Sequence, residues 1–178
     1  MVYEGVLEGR FVNLRSVRED DAEFTLGLRQ DPTLTQFIPR LDITLEQQKS
    51  WIHRQRKKNG DFFFLFTDKN NVPLGVLGIY DINADHGETG RISSRGNSFQ
   101  SLEAQLLCFD FIFDVLKLSY TTDYVYDANV HAKRLTLTFG GEFSAPEKDD
   151  DGNCICRAII TKDSYQKARI KLAKMLYR

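Results

Sequence analysis

Residues 61–66 read Asp-Phe-Phe-Phe-Leu-Phe, an apolar run closed by Gly60 on one side and by Asp68-Lys-Asn-Asn71 on the other. Its length and flanks predict a strand covered on both faces, joined by a turn to a second strand over residues 72–82. Upstream, alternation over residues 6–17 predicts a first strand. Glu19-Asp20-Asp21 then supply an acidic helix start, favoured at the positive end of the helix dipole. Ala22, Phe24, Leu26 and Leu28 lie in that helix, and Asp31-Pro32 ends it, because the residue before a proline avoids helical backbone. Thr44 with Gln47 three positions on predicts a capping box. The helix it opens runs to about residue 58, carrying Trp51, Ile52 and a basic end from Arg54 to Lys58 that is read as a solvated face.

After a turn at residues 84–87 a central strand begins at Glu88, with His86 placed in the exposed turn. Residues 102–117 hold Leu106, Leu107, Phe109, Phe111, Ile112, Phe113, Val115 and Leu116. A helix apolar nearly all round is a buried one. Another strand follows at Tyr124-Val-Tyr-Asp127, then a helix opened by Asn129-Val-His-Ala132. Phe143-Ser144 and residues 154–161 predict a hairpin around an acidic, solvated tip. Residues 164–178, with Ile170, Leu172, Ala173 and Leu176, predict an appended terminal helix. With neither repeat nor linker, residues 1–178 read as one domain.

Composition narrows the function classes. A chain of 178 residues can bury about 70% of its unfolded surface. A formal net charge of -1 argues against a general nucleic-acid binder, which carries a basic excess. The N-terminus shows no apolar run resembling a signal peptide, and no stretch approaches the ~20 apolar residues of a membrane helix. The expectation is a cytoplasmic protein with neither nucleic-acid nor membrane partners. His53, His86 and His131 are scattered without ligand spacing, Cys108 sits in the apolar helix, and Cys154 and Cys156 point to one face of a strand. No metal site is predicted.

The chemistry-bearing stretch is residues 88–140. A polar loop, Arg95-Gly-Asn-Ser-Phe-Gln-Ser101, stands between a strand and a helix, where backbone amides at a helix start hold phosphates. Strands on either side of that helix build a cleft at their carboxyl ends. This suits a phosphate-bearing cofactor.

The same order of elements resembles the core of the GNAT superfamily of acyl-CoA-dependent N-acyltransferases. Leu7-Glu-Gly-Arg-Phe-Val-Asn-Leu-Arg-Ser-Val-Arg-Glu-Asp-Asp-Ala22 is similar to the opening of the branch containing ribosomal-protein N-terminal and amino-sugar acetyltransferases. Leu45-Glu-Gln-Gln-Lys-Ser-Trp51 and Pro73-Leu-Gly-Val-Leu-Gly-Ile-Tyr80 match further, so the likeness spans roughly residues 5–162. It implies an α/β (α+β) fold: a mixed, mostly antiparallel sheet of about six to seven strands flanked by helices, with its central strands splayed. It also implies acetyl-CoA as co-substrate, a small-molecule amine as acceptor, and no metal.

The resemblance carries over to individual residues. Arg95, Gly96, Asn97, Ser98, Phe99, Gln100 and Ser101 stand at the pyrophosphate loop, with Ser98 and Gln100 where small glycines would be expected. Asn129 matches the asparagine that orders the pantetheine arm, and Arg134 on the helix after it joins the cofactor set. Backbone amides near Ile92 and Ser93 would meet the oxyanion. Glu88 matches a glutamate that serves as base, often through a water. The usual tyrosine acid is replaced by Thr136, so protonation of the leaving thiolate by a tyrosine from this position is out. Glu103 reads as a helix cap rather than a catalyst. Phe37, Trp51 and Tyr80 are the candidate acceptor contacts. Among acceptors an amino-sugar nucleotide ranks first, attacking directly in a ternary complex. A protein N-terminus is the alternative, and a catalytically silent CoA-binding or assembly protein the second. The apolar Ala158-Ile-Ile160 would suit the edge of a homodimer.

Overall fold

The computed structural model describes residues 1–38 and 40–178. Strands β1 (Leu7–Glu8) and β2 (Asn13–Ser16) precede helix α1 (Ala22–Gln30) and helix α2 (Leu45–Lys57). Then come β3 (Phe62–Thr67), β4 (Pro73–Tyr80), β5 (His86–Ser94), α3 (Ser98–Asp110), β6 (Tyr120–Tyr126) and α4 (Val130–Thr138). The chain ends with β7 (Glu142–Phe143), β8 (Glu147–Lys148), β9 (Cys154–Thr161) and α5 (Lys162–Leu176). The strands form one sheet in the order β1-β2-β3-β4-β5-β6-β9-β7, with β8 also on β9. Every pairing is antiparallel except β5 with β6. Nine strands are described, against six or seven expected, because the first is divided and residues 142–148 add two short pieces.

The apolar run of β3 is continuous because both faces of the sheet are covered. Phe63 and Leu65 join Val17, Leu28, Ile52 and Val76 under α1 and α2. Phe62, Phe64 and Phe66 join Ile79, Leu106, Phe111, Ile160 and Leu172 under α3 and α5. The last helix is therefore part of the core rather than an appendage. Its Tyr165 donates a hydrogen bond to Asp110 at 2.7 Å, and Arg169 pairs with the same carboxylate at 2.6 Å.

Four further expectations are corrected. Residues 6–17 are not one strand but a short hairpin. The buried Glu103 carboxylate accepts from the amides of Arg10, Phe11 and Val12 at 2.8, 2.6 and 2.9 Å, which stops ladder pairing there. Glu103 is thus an anchor for that turn, not a helix cap. Helix α3 begins at Ser98 rather than 102, because Asn97 and Gln100 form a reciprocal capping box. Ala158 and Ile160 face the core and β9 is flanked by β6 and β7 there, so the apolar run is a core signal rather than a sheet edge. The Thr44–Gln47 box and the end of α1 at Asp31 stand as read.

Candidate active site

Strands β5 and β6 are paired only over His86–Tyr120, Gly87–Thr121 and Glu88–Thr122. Beyond that point β5 continues with β4 to Ser94, and β6 continues with β9 to Tyr126. The two central strands therefore part company, leaving a wedge whose inner edges carry unpaired backbone groups. A register shift opposite Val76–Gly78 and a left-handed Arg91 (φ 55°) bend β5 further as it leaves its neighbour. His86 starts β5 and stacks on Tyr120 at 4.6 Å between ring centres, so it is a strand residue and not part of the turn.

The two sides of the sheet at the crotch of this wedge carry different chemistry. On the α1–α2 side, Tyr80 lies opposite Glu88 and donates a hydrogen bond to its Oε1 at 2.5 Å. Burial, reinforced by the Glu88 charge, holds the Tyr80 phenol well above its usual range, so it stays a donor. The Arg91 guanidinium lies 4.4 Å from the centre of the Tyr80 ring, 5.3 Å from Trp51 and 5.7 Å from Phe63. It is held in place by the buried Asp61, through bonds of 2.6 and 2.9 Å. Burial alone would raise the Asp61 carboxyl, but Arg91 and Gln55 overcome that and hold it below its ordinary value. Arg29, at the end of α1, is half-buried, and its guanidinium is pushed down by burial and by the positive charge of Arg91.

On the α3–α4 side, Thr89 is the neighbour of Glu88 and so points the other way. Its hydroxyl donates to Asp123 Oδ1 of β6, and the hydroxyl of Thr136 on α4 donates to Asp123 Oδ2 at 3.1 Å. Asp123 keeps some accessible surface, yet its carboxyl is lodged between the two strands and α4. Burial lifts it to about 7, with Glu88 adding to the rise and Thr136 opposing it.

At the mouth of the wedge, several polar side chains bond to one another within the loop and its flanks. Asn97 and Gln100 cap one another, Ser94 takes the Gly96 amide at 3.0 Å, and Ser101 bonds Ser94 at 2.7 Å. Gln100 is therefore turned back onto the helix. The Ser98 and Phe99 amides remain as the helix-start donors, beside the exposed Phe99 ring. A Cβ at Gly96 would come within 3.3 Å of Ser94 Oγ and Gln100, so glycine keeps this approach shallow. Arg95 leans on α1, bonding Gly27 O and Asp31 at 3.2 Å each. This cradle and the unpaired strand edges behind it fit a pyrophosphate followed by an extended, amide-bearing arm.

The remaining expected residues are placed as follows. Asn129 caps α4, accepting from Ala132 N at 3.0 Å. Arg134 is exposed on that helix, Ile92 is exposed just after the bulge, and Ser93 is buried. Trp51 and Tyr80 are brought together around Arg91, and Phe37 lies, half-buried, in the loop after α1. Asp123, Thr89, Arg91, Asp61 and Arg29 are additions that the sequence reading missed. The signal for Asp123 was present: alternation along β6 sets it between Thr121 and Val125, on the face that is buried at both. Among the described residues no group of histidines, cysteines and carboxylates could hold a metal, and no helix is long and apolar enough to cross a membrane.

The family described as the acetyltransferase (GNAT) domain matches residues 12–142. Among solved structures, apo FdhC, a nucleotide-linked sugar GNAT, is 24% identical, with a TM-score of 0.80 over 98% of this chain and 99% of its own. A GCN5-related N-acetyltransferase from Brucella melitensis is 17% identical, with a TM-score of 0.80 over 98% and 86%. Spermidine N-acetyltransferase from Vibrio cholerae, solved with CoA and spermine, is 17% identical, with a TM-score of 0.78 over 89% and 99%. No curated protein matches the chain. The family match covers most of the sequence, and it falls on the wedge and loop just described: the chain belongs to the GNAT family of acetyl-CoA-dependent N-acetyltransferases.

Proposed function

We propose that the acceptor is a nucleotide-linked amino sugar. The observation that carries this reading is the pair of guanidinium groups, Arg91 and Arg29, close enough on the α1–α2 side for one to lower the pKa of the other. Arg91 is aimed by Asp61 and backed by Trp51 and Tyr80. Guanidinium groups over aromatic rings suit phosphates and flat bases. The fold-level likeness to FdhC, described as a nucleotide-linked sugar GNAT, agrees with this choice.

Acetyl-CoA supplies the activated acetyl group. The chain's own residues divide the rest. Glu88, oriented by Tyr80, stands where the attacking amine loses its proton, directly or through one water. The backbone of the bent β5 near Ile92 and Ser93, at the edge that β6 leaves unpaired, is the donor assigned to the carbonyl oxygen where negative charge develops. Attack is direct in this reading: Cys108 is in the core with its thiol pushed far up by burial, and Cys154 and Cys156 lie on β9, one strand beyond the wedge. The cytoplasmic setting remains part of the same reading, and a homodimer would use a surface other than the Ala158–Ile160 run.

The test is release of CoA thiol from acetyl-CoA with three acceptors: nucleotide-linked amino sugars, spermidine, and peptides with free N-termini. Turnover is expected with the first, with Arg91→Ala and Arg29→Ala raising its KM about tenfold or more, the loss of one charged hydrogen bond. Preference for spermidine or peptide would overturn the proposal. Acetyl-CoA binding without turnover on any amine would favour a silent CoA-binding protein.

A further inference from the structure

Thr136 cannot give up a net proton at neutral pH, but a hydroxyl can pass one on, because it both donates and accepts. Passing a proton requires a donor behind it. Asp123 stands in that position, with one carboxyl oxygen 3.1 Å from the Thr136 hydroxyl and the other fixed by the Thr89 hydroxyl. The ionised carboxylate accepts from Thr136, whereas the protonated carboxyl donates across the same contact and frees the Thr136 hydrogen for another acceptor. The group sits at the crotch of the wedge, just past the last β5–β6 pair, Glu88–Thr122. It lies across the sheet from Glu88, because Thr89 and Glu88 are consecutive residues of one strand.

We propose that Asp123 supplies the proton to the departing thiolate, relayed by the hydroxyl of Thr136. As the carbon–sulfur bond breaks, its electron pair goes to sulfur, which takes the Thr136 proton. Thr136 takes the Asp123 proton in the same event, and Asp123 is left a carboxylate. The proton lost by the amine rests on Glu88, and exchange with water restores both carboxyl groups. The sheet thus separates base from acid, with Glu88 on the acceptor face and Asp123 on the face of α3 and α4.

The electrostatic setting agrees. Burial, with Glu88 on β5 adding to the rise, keeps Asp123 protonated to about 7. Tyr80 on β4 and Cys108 on α3 each feel its charge, and both stay neutral. From α4 the facing group is Thr136, whereas Lys133 of that helix is paired with Asp127 at 2.6 Å. On β9, Cys156 also turns to Asp127, at 3.3 Å, and Ala158 is the residue opposite Asp123.

Two readouts test the relay. The first uses the protein alone, by infrared difference spectroscopy of wild type against Asp123→Asn. A protonated-carboxyl carbonyl band is expected in wild type under mildly acidic conditions, absent from the variant and titrating away near pH 7. The second is thiol release from acetyl-CoA with whichever amine turns over. In wild type kcat should fall on the alkaline side as Asp123 ionises. Asp123→Asn should lower kcat about 100-fold, the low end of general-acid effects, and remove that alkaline limb. Thr136→Ser should retain the wild-type profile and Thr136→Val should copy Asp123→Asn, which decides the matter even if Asp123→Asn folds poorly. No carboxyl band, or a wild-type kcat and limb in Asp123→Asn or in Thr136→Val, would overturn the proposal. None of these outcomes depends on which amine is the acceptor.

Discussion

Replacing Asp123 by asparagine makes a prediction about stability as well as rate, and its sign is unusual for a carboxylate. Asparagine keeps the shape, accepting one of the two threonine hydroxyls on its amide oxygen and donating its NH2 to the other, but it has no carboxyl proton to lose. The Asp123 carboxyl titrates at about 7 in the fold, against 3.8 for the free side chain. Between those values the native state holds a proton that the unfolded chain has released, so wild-type stability falls as pH rises through this window. Above it the full penalty persists. Three units at about 1.4 kcal/mol each amount to about 4 kcal/mol. Asp123→Asn escapes that cost, so it should be more stable than wild type by several kcal/mol at pH 8 and should lose its advantage near pH 4. In a chain of this size the gain corresponds to about 10 °C in Tm. Urea unfolding across the pH range measures it directly, as a midpoint difference that grows with pH at constant slope. Stability curves that run parallel from acid to alkaline pH would refute the reasoning, since a constant offset reports packing and not ionisation.

Three other outcomes follow from the same geometry. Glu103→Ala strands the amides of Arg10, Phe11 and Val12, and should cost about 3–6 kcal/mol in denaturant unfolding, with the β1–β2 turn exchanging its amide protons early. Arg91→Ala leaves the Asp61 carboxylate buried without its guanidinium, which should cost about 3–5 kcal/mol, and Asp61→Asn in the same chain should recover part of that loss. Ser98→Pro removes one amide donor at the first helical position, where proline is tolerated and where the extended Asn97 can precede it. Its unfolding should match wild type, while the rise of about 5–10 °C that saturating acetyl-CoA gives the wild type should shrink in the variant.

The outline of the fold was legible because local rules and tertiary demands agreed. The run at Phe62–Phe66, the Thr44–Gln47 box and Asp31-Pro32 each specify one structure on their own. The errors fall where a distant residue decides the local conformation. Glu103 stands more than ninety positions from the turn it splits, and nothing near residues 9–12 announces it. The start of α3 differs for another reason: Asn97 and Gln100 form the same kind of box as Thr44 and Gln47, within a polar stretch whose composition also suits a phosphate loop.

The site was half legible for a reason that lies in the sheet itself. Glu88 and Tyr80 fall on one face by simple alternation and adjacent pairing, so their meeting follows once β4 and β5 are placed side by side. The Asp123–Thr136 pair needs a parallel neighbour, a helix returning over β6, and a register that ends at Glu88–Thr122. None of these is a property of a single segment. A threonine at the acid's position reads from sequence as a loss, because the carboxylate behind it lies thirteen residues earlier on another element. In the fold the same threonine is the short end of a two-part acid, with the Asp123 carboxyl 3.1 Å behind its hydroxyl.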